Sequence, residues 1–219
     1  MIDVRANCLR VLERIHQAAS RSGRDPTSIR LVAVTKTVSP ESIRKAVECG
    51  IRDIGENRLQ EALPKKRALA ELDLTWHFIG HLQTNKAKRA VDNFDWIQCV
   101  DRPDLAIKLN QNASRTVPVL IEVKLSEEPN KSGVDEAALG PVVEQFVKYE
   151  RLQLCGLMTI PPFFEIADQV RPYFRKLREL AQGFGLHELS MGMSHDFEVA
   201  IDEGATMVRV GTALFGERQ

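Results

Sequence analysis

Short apolar segments alternate with longer segments of helical periodicity along the whole sequence. Near-continuous apolar runs are typical of parallel strands that are buried on both faces. Eight runs of this kind occur, at residues 31–34, 53–55, 76–79, 96–100, 119–123, 154–160, 188–191 and 207–210. The pattern therefore predicts eight buried strands separated by helices.

The helical segments begin and end at recognisable residues. Ser39, Pro40 and Glu41 supply an N-cap, a proline at the first helical position and an acidic first turn, and Gly50 is a plausible C-terminal stop. Residues 4–19 predict a helix before the first strand, because one face carries Val4, Cys8, Val11, Leu12, Ile15 and Ala19.

Eight strands with intervening helices predict an α/β protein, a (β/α)₈ TIM barrel with an extra N-terminal helix. An open doubly wound sheet is the alternative. Residues 1–219 contain no repeat, linker or low-complexity tract, so we interpret them as one domain. In such a barrel, ligand-binding side chains lie at the C-terminal ends of the strands, and phosphate commonly binds after strands seven and eight.

Composition narrows the function classes. Lys and Arg together number 30, as do Asp and Glu, so the net charge is zero and the basic excess of a nucleic-acid binder is missing. No apolar run is long enough to cross a membrane, and the N-terminus lacks a signal-peptide core. The four cysteines are widely spaced, which disfavours zinc and a disulfide framework. We therefore expect a cytoplasmic protein that binds neither nucleic acid nor membrane.

Lys36 is the first candidate for chemistry, because it follows the first predicted strand at the rim where barrels place functional groups. Partial desolvation there lowers the pKa of a lysine, and the free amine can form a Schiff base with an aldehyde. A surface lysine that opens a loop is the alternative. Lys124 holds a similar place on the fifth strand, but Glu122 precedes it by two residues, so an ion pair is the simpler interpretation.

Two glycine- and hydroxyl-containing turns follow the seventh and eighth strands, at residues 190–194 and 208–212. Small residues and hydroxyl donors of this kind suit a phosphate group, although many such turns are only turns. No nucleotide-binding GxxxxGK[ST] or GxGxxG motif is present. A rim lysine beside a phosphate site favours pyridoxal 5′-phosphate (PLP), and another phosphorylated metabolite bound without an imine remains an alternative.

The chain resembles the pyridoxal phosphate homeostasis protein family, whose members are single-domain relatives of the alanine racemase N-terminal barrel. The resemblance extends over nearly the whole chain. It is carried by residues 34–36, 55–61, 77–86, 130–133, 156–159, 189–194 and 208–216.

The resemblance implies that Lys36 carries PLP as an internal aldimine and that Ser194, Gly211 and Thr212 hold its phosphate. It also places Arg209 beside the pyridine nitrogen, with a contact to the phosphate as the alternative. Three further residues follow strand ends and are expected to line the cofactor ring: Asn57, His81 and Met158. The family often has an aromatic residue where this chain has Arg58, which leaves the local lining open.

The resemblance further implies a PLP carrier or buffer that affects amino-acid and keto-acid balance, rather than an enzyme. Racemisation needs a second base, which alanine racemase supplies as a tyrosine from another domain. Tyr149 and Tyr173 are the only tyrosines here, and both fall in predicted outer helices. An arginine beside the pyridine nitrogen also makes the ring a poorer electron sink. A PLP-dependent enzyme with weak racemase-like activity on a small amino acid is the alternative.

Partners and metals follow from the same residues. We expect a monomer, since the racemase dimer uses the other domain, and we expect PLP-dependent apoenzymes or regulatory proteins as partners. His77 and His81 have the spacing of a metal pair, but no third ligand of suitable type lies near them in the sequence, so we expect no metal site.

Overall fold

The computed structural model describes residues 2–126, 128 and 132–217. Its strands are β1 (Arg30–Val34), β2 (Asp53–Glu56), β3 (Thr75–Phe78), β4 (Trp96–Val100), β5 (Val117–Lys124), β6 (Val134–Asp135), β7 (Leu152–Met158), β8 (Glu188–Ser190) and β9 (Met207–Val210). All eight predicted strands are confirmed, with ends that move by one or two residues. Asn130 and Lys131, part of the sequence block at 130–133, lie outside the described residues.

The sheet closes into a barrel. Its strand order is β4-β3-β2-β1-β9-β8-β7-β5, every pairing is parallel, and β4 also pairs with β5. That last pairing joins the two edges, which excludes the open doubly wound sheet. The prediction of a (β/α)₈ barrel is confirmed. The two-residue β6, which the sequence did not predict, adds to the end of β5.

Helices surround the barrel. Within the described residues they are α1 (Val4–Arg21), α2 (Pro40–Glu48), α3 (Leu59–Ala68), α4 (Ala87–Asn93), α5 (Pro103–Asn112), α6 (Glu136–Gln145), α7 (Arg171–Gly183), α8 (Phe197–Asp202) and α9 (Thr212–Phe215). The predicted cap of α2 is confirmed, since the Ser39 hydroxyl accepts from the Ser42 backbone N–H at 3.3 Å. Gly50, just past its end, has a φ of +92°, a conformation that favours glycine.

The additional helix α1 packs against α8, α9 and α2. Its buried face comprises Val4, Cys8, Val11, Ile15, Ala18 and Ala19, close to the predicted face. Asp3 caps its N-terminus by accepting from the Ala6 backbone N–H at 3.0 Å, and the Asn7 side chain donates to the Leu214 carbonyl oxygen at 3.0 Å. The helix therefore fixes α9, which follows the last strand of the barrel.

Candidate functional site

The strand ends of β1 and β9 lie side by side at the C-terminal rim of the barrel. Ala33 pairs with Val210, and Gly211 packs against Val34, the last residue of β1. Lys36 follows two residues later and is half-buried. The closed sheet thus brings the lysine of the first strand next to the turn after the last strand.

The chain turns sharply after Lys36. Thr37 has a φ of +63° and is the only non-glycine residue with positive φ in the described part of the chain. Its backbone N–H donates to Glu61 Oε2 at 3.3 Å, and the Val38 backbone N–H donates to the Thr35 carbonyl oxygen at 2.9 Å. These bonds hold a β-branched residue in a conformation it rarely adopts, and they fix the backbone that carries Lys36.

The turn after β8 is held to the start of α9 by one hydroxyl. Ser194 Oγ accepts from the backbone N–H groups of Gly211 at 3.2 Å and Ala213 at 3.1 Å. Gly192, at a φ of +89°, lets this turn pack closely on α8. Its carbonyl oxygen accepts from the Arg209 backbone N–H at 2.9 Å. The two turns identified in the sequence therefore form one hydrogen-bonded unit.

One cavity of about 550 Å³ joins the rim lysine to these turns. Five residues predicted from the sequence line it together: Lys36, Ser194, Arg209, Gly211 and Thr212. Val38, Ser42, Met193, His195 and Phe215 complete much of the wall. Its size and its mixture of apolar and polar groups are typical of a small-molecule site.

Arg209 forms the buried side of this cavity and is only 3% exposed. Its Nη1 donates to Ser190 Oγ at 2.6 Å, and its Nη2 donates to the Thr159 carbonyl oxygen at 2.8 Å. Burial lowers the pKa of Arg209 to about 10, against the attraction of Glu122 and Asp196. The guanidinium therefore stays charged near neutral pH and is fixed at two points.

Sequence reasoning missed Ser190 as a functional residue. The sequence pattern assigns it to the turn at residues 190–194, but it is the fully buried last residue of β8, and its hydroxyl contacts Arg209 rather than solvent. Only one residue of its strand is apolar, so the sequence carried no signal that set Ser190 apart.

The three residues predicted to line a cofactor ring are not gathered in this cavity. Asn57 and His81 line a separate cavity of about 560 Å³ between the ends of β2 and β3, together with Arg58 and Glu61. Met158 is fully buried. Asn57 Oδ1 is also buried, and it has no hydrogen-bond partner among the residues with described positions. Contact of these three residues with a ligand stays a prediction.

The spacing of Glu122 and Lys124 suggested an ion pair between them. The structure describes both residues, and their side chains do not form that pair. Glu122 is 7% exposed. Burial and repulsion from Asp101 raise the pKa of Glu122 to about 7, against the attraction of Arg209. Lys124 lines a different cavity beside Glu136 and Tyr173.

The two histidines at metal-like spacing have separate environments. His77 is fully buried and bonded to Asp53, whereas His81 is exposed and bonded to Asp101 at 3.1 Å. Among residues 2–126, 128 and 132–217, no three His, Cys, Asp or Glu side chains are grouped to hold a metal ion. In the same ranges, no helix has the length and apolarity required to cross a membrane.

Comparison with known proteins identifies relatives over the full barrel. The family described as "Alanine racemase, N-terminal domain" matches residues 7–219. A protein of Aquifex aeolicus named "Pyridoxal phosphate homeostasis protein" is 49% identical over 219 residues, covering 96% of each chain.

Solved structures share the same architecture. PipY of Synechococcus elongatus PCC7942, solved with PLP bound, aligns with a TM-score of 0.82 and 41% identity over 94% of this chain and 100% of PipY. Alanine racemase from Corynebacterium glutamicum aligns with a TM-score of 0.68 and 20% identity. This chain covers 60% of the racemase, and at that identity the likeness concerns the fold alone.

Proposed function

The chain belongs to the alanine racemase N-terminal domain family as one of its pyridoxal phosphate homeostasis proteins, and from that premise we propose that it binds PLP and takes part in its homeostasis. The observation that carries the proposal is the single cavity lined by both Lys36 and the Ser194–Gly211–Thr212 turns. The bound cofactor of PipY, a relative at 41% identity, supports the same assignment.

The residues of the cavity fit this cofactor chemically. An amine suits its aldehyde, hydroxyls and backbone N–H groups suit its phosphate, and Lys36, Ser194 and Thr212 supply them within one cavity. Gly211 has no side chain to fill the space, and a Cβ there would already lie 3.4 Å from the Val34 side chain. A volume of about 550 Å³ lies within the usual range for small-molecule sites.

Each residue then has a distinct task. Lys36 holds the cofactor covalently through its Nζ. The strained Thr37 backbone that follows it fixes the position of the lysine backbone at the rim. Ser194 orders the turn at Gly211 and faces the phosphate with Thr212. Arg209 presents a fixed positive charge to the pyridine nitrogen, with the phosphate as its alternative partner.

We further propose a carrier or buffer of PLP rather than an enzyme. Bound PLP supplies an electron sink for carbanion chemistry, and racemisation additionally requires a second base. Tyr173 lies in α7 and Tyr149 follows the 3₁₀ helix Phe146–Lys148, so neither of the chain's tyrosines lines the cavity. The fixed charge of Arg209 also disfavours a proton on the pyridine nitrogen.

Absorbance tests the binding proposal. The purified chain is titrated with PLP, and the bound cofactor is reduced with borohydride and located by peptide mass spectrometry. We expect a visible absorbance band and a pyridoxyl group on Lys36, with both lost in Lys36→Ala. Lys124→Ala is the matched control, because Lys124 ends β5 at the same rim but lines another cavity. A wild-type chain that stays colourless would favour another phosphorylated ligand.

Isotope exchange separates a carrier from an enzyme. The PLP-loaded chain is incubated with each amino acid in D₂O, and α-deuterium incorporation is followed by NMR. We expect none above the level of free PLP; steady exchange that depends on Lys36 would establish the racemase-like alternative.

Partners, assembly state and location stay predictions with their own measurements. Transfer of PLP to an apoenzyme is followed as recovery of the recipient's activity, a monomer is checked by light scattering, and a cytoplasmic location is checked by cell fractionation.

A further inference from the structure

A row of polar side chains crosses the interior of the barrel below the cavity lined by Lys36, Ser194 and Thr212, which we call the cofactor cavity. It begins at Arg209 on β9, whose Nη1 donates to Ser190 Oγ at 2.6 Å. The Ser190 hydroxyl in turn donates to Gln98 Oε1 on β4 at 2.7 Å. Since β8 and β4 are not neighbours in the sheet, this bond spans the barrel's interior.

The row continues from Gln98 to the opposite rim. Gln98 Nε2 lies 2.9 Å from His77 Nδ1, and His77 Nε2 lies 2.8 Å from Asp53 Oδ1. An amide nitrogen only donates, so His77 Nδ1 must accept from Gln98. The ring proton of neutral His77 is then on Nε2, which donates its hydrogen bond to Asp53 Oδ1. Asp53 is the first residue of β2, so the row ends at the N-terminal rim.

All four bonds have the same direction, with each donor on the Arg209 side and each acceptor on the Asp53 side. His77, Gln98 and Ser190 are fully buried. In such a low-dielectric interior, hydrogen bonds in a common direction polarise and strengthen one another. A positive charge at the donor end and a carboxylate at the acceptor end favour this direction over the reverse.

We propose that Ser190, Gln98 and His77 are positioning residues, which hold the Arg209 guanidinium at the cofactor cavity by linking it to Asp53 across the barrel. The proposal rests on the function proposed above for its ligand, PLP. It assigns a role to three buried residues that do not line the cavity of Lys36 and Arg209.

The surroundings of His77 favour the neutral ring that the row requires. Burial lowers the pKa of His77, while Asp53 acts in the opposite direction. Arg30 also lowers this pKa and Asp95 raises it, and Trp96 stacks on the ring at a centroid distance of 5.9 Å. A doubly protonated His77 would turn Nδ1 into a donor facing the Gln98 amide, and the row would break there.

The first test needs no cofactor and no substitution. Long-range ¹H–¹⁵N NMR of the chain stripped of PLP reports which ring nitrogen of His77 carries the proton. We expect the Nε2–H form, with imidazolium appearing only at a lower pH than for an ordinary histidine. A protonated Nδ1 in the neutral ring would overturn the proposal, whatever the affinity for PLP.

The second test breaks the row at two places. Gln98→Leu and Ser190→Ala each remove a hydrogen bond from the row that holds the Arg209 guanidinium, and we expect each to weaken PLP binding roughly tenfold. The double variant should weaken PLP binding no further, because both substitutions interrupt the same row of hydrogen bonds. Gln153→Leu, at an exposed position of β7, is the matched control and should bind PLP like the wild type.

The third test is a conservative replacement. The carboxylate of Gln98→Glu still accepts from Ser190, so PLP affinity should stay close to that of the wild type. The carboxylate also accepts from His77 Nδ1, which should convert the ring to imidazolium at neutral pH in the NMR spectrum.

The outcomes distinguish this proposal from the function it rests on. If the wild type binds PLP and the folded Gln98→Leu and Ser190→Ala variants bind it equally well, or if their effects add, the positioning role is wrong. If the wild type binds no PLP, the proposed function fails on its own. If neither variant folds, the His77 tautomer in the wild type still decides whether the row has the stated direction.

Discussion

Gly211 packs against Val34 with little more than van der Waals space between them: a Cβ at position 211 would lie 3.4 Å from Val34 Cβ and 3.4 Å from the Val34 carbonyl oxygen. This contact joins the last strand of the barrel to the first, where the cofactor cavity forms. The space at position 211 therefore admits a methyl group but not a larger side chain unless β1 or the turn moves.

Two substitutions at Gly211 should show how large a side chain fits at this contact without weakening PLP binding. Gly211→Ala adds a methyl group at an ordinary contact distance, so we expect PLP affinity within about threefold of the wild type. Gly211→Val adds two more methyl groups that must enter the cavity or displace β1, and we expect affinity to fall at least about tenfold. Equal affinity of both variants, measured by fluorescence titration, would show that the contact does not limit the site.

Thr37 should be replaceable with a gain in stability. Its φ of +63° is costly for a β-branched residue but acceptable for asparagine. We expect Thr37→Asn to raise the free energy of unfolding by about 1 kcal/mol in urea denaturation. Thr116→Asn, at an exposed threonine without positive φ, is the control and should change stability little. A loss of stability in Thr37→Asn would show that the Thr37 backbone is not strained at its positive φ.

Gly192 should not tolerate a side chain. A Cβ there would lie 2.5 Å from Ala200 Cβ and 2.9 Å from Phe197 Cα, and its φ of +89° adds strain. We expect Gly192→Ala to lower the free energy of unfolding by about 2–4 kcal/mol. Gly140→Ala lies within α6, and its added Cβ would come no closer than 3.9 Å to Phe184, so it should instead raise this free energy by about 0.5–1 kcal/mol. The two substitutions are compared by urea denaturation; an equal effect would contradict the packing argument.

Glu122 should make stability depend on pH. Burial, reinforced by Asp101 and opposed by Arg209, raises the pKa of Glu122 from 4.5 to about 7 in the folded chain. The folded state then binds more protons than the unfolded state between these values, so this group's contribution falls as pH rises through them. We expect a decline of about 3 kcal/mol from this group between pH 4 and pH 8.

Glu122→Gln should remove that decline, because glutamine does not titrate. The measurement is the free energy of unfolding of both chains across this pH range, in which their other groups contribute alike. Parallel curves for the wild type and the variant would show that Glu122 titrates near its ordinary pKa.

The sequence predicted the parts of the fold that depend on local patterns. Buried parallel strands need continuous apolar runs, so all eight barrel strands could be located from residue types alone. Lys36 and Gly211 could be placed together because both follow strands, and the strand ends of a closed parallel barrel share one rim.

Side-chain direction was not predictable in the same way. Asn57 and His81 also follow strands, but the loops after β2 and β3 direct them into a different cavity. The row from Arg209 to Asp53 depends on which interior positions of distant strands meet, and this is set by the shear of the barrel rather than by spacing along the chain. Gln98, between the buried apolar residues Ile97 and Cys99, therefore gave no sign of its partners.

Closure of the sheet by its first and last strands also determines when the site can exist during synthesis. Lys36 leaves the ribosome early, whereas Gly211 and Thr212 are translated only after all nine strands, and the Asn7–Leu214 bond joins residues 207 positions apart. A nascent chain can thus display the Lys36 amine long before the turn at Gly211 and Thr212 has been made. The cavity that Lys36 and Gly211 line together can therefore form only after the last strand of the barrel has paired with the first.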